Sequence, residues 1–81
     1  MVQYTIILWP EPEEGGYSVL VPALPGCTTH GHSITECIER AQEAIAGHIE
    51  ALQASGEQVP DETVRPQAIT LELPVLVPSA A

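Results

Sequence analysis

Ser33-Ile34-Thr35-Glu36-Cys37-Ile38-Glu39-Arg40-Ala41 opens the segment that decides the fold. Ser33 with Glu36 has the form of a capping box: the serine hydroxyl accepts from the Glu36 amide, and the glutamate reaches back to the serine amide. Behind it, Ile34, Cys37, Ile38, Ala41, Ile45, His48, Ile49 and Leu52 recur at helical spacing on one stripe. Glu36, Glu39, Arg40, Glu43, Glu50 and Gln53 fall on the opposite side, and Gly56 is a natural stop. The spacing predicts a helix of about 20 residues, roughly 30 Å long and sufficient to cover a small sheet. Gly47 inside it costs about 1 kcal/mol relative to alanine and is either tolerated or a close-packing point.

What precedes this helix alternates with period two. Val2, Tyr4, Ile6 and Leu8 interleave with Gln3, Thr5, Ile7 and Trp9, which predicts a first strand over 2–9. The charged run from Pro10 to Gly16 breaks it. Tyr17, Val19 and Val21 then share one face of a second strand, with Ser18 and Leu20 on the other. The short connection predicts an antiparallel hairpin. Pro25-Gly26 suits the middle of a type II turn, and residues 27–32 form a short third strand. After a polar linker over 57–67, Ile69, Leu71 and Leu73 share one face of a predicted fourth strand, which Pro74 ends, bulges or leaves on an open edge. The expected class is therefore α+β, in the order β-β-β-α-β, with one long helix on one face of the sheet. One domain over 1–78 and a short tail over 79–81 account for the chain.

A single helix leaves the other sheet face bare. Ile7, Trp9 and Leu20 point to that face, and an exposed apolar patch of this kind marks an interface. The apolar stretch with Val75 and Val77 offers a second, edge-strand route to self-association. A dimer or tetramer is the expectation.

Composition narrows the function classes. The chain has 81 residues, 11 acidic side chains against two arginines, no lysine, and a net charge of -9. That balance opposes phosphate backbones and suits a basic protein partner. Glu11, Glu13 and Glu14 form an acidic knob at the first turn, a candidate contact for such a partner. No apolar run approaches the roughly 20 residues of a membrane-spanning helix. The start, Met1-Val2-Gln3-Tyr4-Thr5, lacks the basic and small-residue features of a signal peptide, so the expected location is cytoplasmic.

The residues that could carry chemistry read as structural. His30 and His32 lie two apart near Cys27 and Cys37, but neither Cys-x-x-Cys nor His-Glu-x-x-His occurs. Cys27 follows Pro-Gly with histidines beyond it, without a third group at a position that would orient a base. The helix glutamates sit on a face that water solvates, and Gly15-Gly16 lies between two strands, where no phosphate loop is built. The expectation is no catalytic residue, no metal site and no cofactor.

Glu14-Gly15-Gly16-Tyr17, then Val21-Pro22-Ala23-Leu24-Pro25-Gly26-Cys27, then Gly31 and Ser33, resembles the HicB-like antitoxin family. The resemblance covers nearly the whole chain. It implies a partial RNase H-like fold and gives Gly15, Gly16, Tyr17, Pro22, Leu24, Pro25, Gly26, Cys27, Gly31 and Ser33 a structural role. The implied partner is HicA, a small basic toxin that cleaves mRNA, which the antitoxin neutralises by covering its active surface. Many members carry a further DNA-binding domain. The sequence reaches only Ala81, so direct nucleic-acid binding by this chain is not expected. An RNase H-type nuclease also needs a carboxylate on its first strand, and residues 2–9 contain none, so no nuclease activity is expected. The alternative reading is a family member without a toxin, acting as an oligomeric regulator or scaffold, or as an enzyme of unknown substrate.

Overall fold

The computed structural model describes residues 2–78; the predicted tail over 79–81 lies outside the described residues. Three strands, β1 (Ile7–Pro10), β2 (Tyr17–Leu20) and β3 (Thr28–Gly31), precede one helix, α1 (Ile34–Ala54). The sheet is antiparallel throughout in the order β1-β2-β3. Ile7 lies opposite Leu20 and Trp9 opposite Ser18, while Tyr17 lies opposite Gly31. Pro10 is the last residue of β1 rather than its breaker, which an edge strand tolerates because a missing donor there breaks no ladder.

The helix ends are built as the sequence indicates, with one change. Ser33 Oγ accepts from the Glu36 amide at 3.1 Å, whereas Glu36 Oε1 accepts from the His32 amide at 3.3 Å rather than from that of Ser33. Arg40 Nε donates to the same oxygen at 3.2 Å. At the far end, Glu57 N donates to Leu52 O at 2.9 Å and Gly56 N to Gln53 O at 3.1 Å, the paired bonds of a Schellman motif.

Two small apolar clusters hold helix to sheet. Val19, Cys37 and Ala41 form one, with Ile6, Leu8 and Tyr17 against it. Val21, Leu24 and Cys27 form the other, flanked by Tyr4, Ile6, Ala44 and Ile45. Of the predicted helix stripe, Cys37 and Ala41 are buried and Ile45, His48, Ile49 and Leu52 are half-buried, whereas Ile34 and Ile38 face water. The helix packs chiefly on β3 and β2, so the buried arc centres on Cys37 and Ala41 and the outer isoleucines lean away.

The glycines and prolines of the motif shape these clusters. The turn from Val21 closes with Leu24 N on Val21 O at 3.0 Å, and the next with Cys27 N on Leu24 O at 2.9 Å. Gly26, the third residue of the turn Leu24–Cys27, supplies the φ of 85° that a type II turn requires there. The double turn drops Leu24, fully buried, into the core. Gly16, at φ 77°, lies against the backbone of Gly31 and His32, where a Cβ would collide. A Cβ on Gly31 would in turn stand 2.8 Å from Cys37 Sγ. Absence of side chains at 16 and 31 lets hairpin, β3 and α1 approach closely.

The fourth strand is not formed. Residues 57–78 carry no regular element, and Ile69, Leu71 and Leu73 are 76%, 72% and 71% exposed. The alternation is present, but a strand exists only against a partner edge, and among the described residues this segment pairs with none. The first strand is likewise shorter than predicted: residues 2–6 approach the core without joining the ladder.

Candidate interaction surface

Three features of the surface follow from this architecture. The first is the sheet face opposite α1. Strand alternation places Ile7, Trp9, Ser18 and Leu20 there, with Trp9 65% exposed. Trp9, Ser18, Leu20 and Thr28 line an open groove of about 370 Å³. His30, opposite Ser18, adds a ring packed edge-on against His32 at 5.5 Å, with its Nε2 buried and without a hydrogen-bond partner.

The second feature is the hairpin tip. Glu13 and Glu14 are exposed there. Glu11 is not equivalent to them, because its carboxylate accepts from Ser18 Oγ at 2.6 Å and its backbone closes the turn with Gly15 and Gly16. The acidic knob expected at 11, 13 and 14 thus divides into one structural carboxylate and two that face solvent.

The third feature was not legible as a site in the sequence. Glu62, in the supposed linker, clamps the N-terminal stretch: Thr5 donates to it from its amide and from its hydroxyl, both at 2.7 Å. Its side chain is only 2% exposed, and Arg65 Nε lies 3.6 Å away. The two Thr5 bonds, with Arg65 adding charge, hold the Glu62 carboxyl below the usual glutamate range, against the opposing effect of burial. Beside it, Tyr4 OH donates to Pro60 O at 2.6 Å, and Arg65 bonds the Gln3 side chain. Burial, then the charges of Asp61 and Glu62, pushes the Tyr4 phenol up, so it remains a donor. A single Glu in a polar linker gives no periodic signal; only the Thr5 contact reveals it.

Beyond the clamp the chain emerges into solvent. Val75 and Val77, expected at an interface with Ile7, Trp9 and Leu20, lie on this outlying segment, apart from the sheet, and are 66% and 75% exposed. The thiols of Cys27 and Cys37 are buried and free, and burial pushes that of Cys27 up, away from the thiolate a nucleophile needs. Among the described residues no three His, Cys, Asp or Glu side chains are arranged to hold a metal, and no helix is long and apolar enough to cross a membrane.

Residues 4–71 match a family described as the HicB-like antitoxin of bacterial toxin-antitoxin systems. The chain is 42% identical over 59 residues to a UPF0150 protein of Thermoplasma acidophilum, covering 73% of this chain and 84% of that relative. It is 40% identical over 68 residues to a UPF0150 protein of Synechocystis sp., covering 82% and 85%. A stretch of 38 residues is 50% identical to a UPF0150 protein of Archaeoglobus fulgidus, covering 47% of this chain and 55% of that one.

Proposed function

Since the chain belongs to the HicB-like antitoxin family, we propose that it binds and inhibits a small basic toxin of the HicA type in the cytoplasm, as a binding module and not as an enzyme. The family match carries this reading. The charge of -9 supports it, because an acidic inhibitor is drawn electrostatically to a basic, RNA-cleaving partner. Glu13 and Glu14 are the contacts we assign, since they stand at the tip without an internal task. Glu11 is set aside from that role, because removing its carboxylate would cost the turn a hydrogen bond.

The test is to look in the neighbouring reading frame for a small basic protein and, with that protein in hand, to assay the complex. The two should copurify, and this chain should block RNA cleavage by the partner at equimolar ratio. Affinity should fall as salt rises, and Glu13→Lys with Glu14→Lys should weaken it about tenfold, mostly through slower association. No complex at micromolar concentration would overturn the toxin reading. Unchanged affinity in the lysine variant would overturn only the role of the tip.

A further inference from the structure

We infer that residues 68–77 are an exchanged strand, which pairs with the free edge of β1 in a second copy of this chain. Two incomplete features of one molecule carry this. The segment alternates as a strand, with Ile69, Leu71 and Leu73 on one face, yet its large apolar side chains are 66–97% exposed. The sheet order leaves β1 with one neighbour, so its outer backbone groups are open. An extended apolar segment and an apolar strand edge are the two halves of a β-ladder.

The clamp prevents the two halves from meeting within one chain. As the chain advances from Glu62 to Arg65, its partner recedes from Thr5 to Gln3. The segment is thus held beside residues 3–5, and the large apolar residues beyond it stand exposed instead of pairing with residues 7–10 of the same chain. Proline at 66 follows at once. The radius of gyration, 16.2 Å, agrees with a projecting arm; a compact domain of this size has about 12 Å. A second copy can offer its β1 where the first cannot.

Two further observations select the occupant and the edge. Residues 66–78 carry one charge, Glu72, in a chain of net charge -9, so the arm is the part that repels a second copy least. The other open edge, β3, is Thr28-Thr29-His30-Gly31, whereas β1 presents Ile7, Leu8 and Trp9. Apolar cross-strand pairs favour β1. Reciprocal arms then close a two-fold dimer, in which Ile7 and Trp9 of one copy meet the Val75–Val77 region of the other.

The experiment uses this protein alone, so its outcome is independent of any toxin. Mass by light scattering at 5–100 µM, roughly the range in which small dimers dissociate, should be that of a dimer. Leu71→Glu with Leu73→Glu should halve it while the circular dichroism of the helix stays unchanged. A wild-type monomer throughout, or an undiminished dimer in the double variant, would overturn the exchange. Copies carrying Trp9→Cys are then mixed with copies carrying cysteine at 69, 71 or 73. A disulfide joining the two kinds of copy supports exchange; disulfides only within a copy, or none at all, refute it.

Discussion

Gly31 has no room for a side chain, and that one fact sets how closely α1 lies on β3. A Cβ would meet Cys37 N and Sγ at 2.8 Å, and the backbone on one side of that contact cannot retreat without disturbing Gly16 on the other. Gly31→Ala should therefore destabilise the domain by about 1–3 kcal/mol, as overpacking does. Urea unfolding gives the figure directly, and an unchanged midpoint would show that the helix shifts freely. Leu24 and Cys27 belong to the same scale of argument: their turns, not their own chemistry, bury them. A thiol pushed up by burial and packed in a dry cluster contributes volume rather than reactivity.

Among the elements, the irregular segment over 57–66 does more than connect. Its attachment to the N-terminal stretch rests on Glu62 accepting two bonds from Thr5. The folded Glu62 carboxyl titrates below its unfolded value, so the unfolded chain binds the proton first on acidification. The stability it adds is complete above the usual glutamate pKa of about 4.3. It is lost as pH falls through the lower folded value. Exchange protection of the Thr5 amide should follow the same course, and Glu62→Gln should flatten the dependence in that window. Equal pH slopes for the two proteins would show that the clamp adds nothing. Release of this segment would also free the arm to take other directions, which links the clamp to assembly.

At the scale of the molecule, a charge of -9 and an extended apolar arm impose opposite demands. The charge keeps copies apart, while the arm draws two of them together along a nearly neutral seam. Strand exchange meets both demands by confining the contact between copies to apolar residues of β1 and the arm. Because such a dimer is stabilised by mass action, its unfolding temperature should rise with protein concentration. Thermal melts a hundredfold apart in concentration would reveal it, and superimposed melts would mean that the monomer is the folding unit. A basic partner meeting Glu13 and Glu14 would then find two tips on one assembly.

The order of three strands and a helix, the Ser33 cap, the type II turn and the acidic tip were all legible in the sequence, because each depends on residues a few positions apart. Period-two and period-3.6 patterns, proline φ and glycine freedom act locally, so the chain declares them without its fold. The family resemblance rested on the same local turns. Long-range geometry decided the rest. Alternation at 68–73 shows that the segment suits a strand, but pairing requires an edge, and only the tertiary structure shows that the chain beyond the Glu62 clamp does not pair with its own. It likewise separated Glu11 from Glu13 and Glu14, since a hydrogen bond to Ser18 reaches across the hairpin. It also moved the buried arc of α1 to Cys37 and Ala41, because the closest approach of helix to sheet is set by Gly31 on another element.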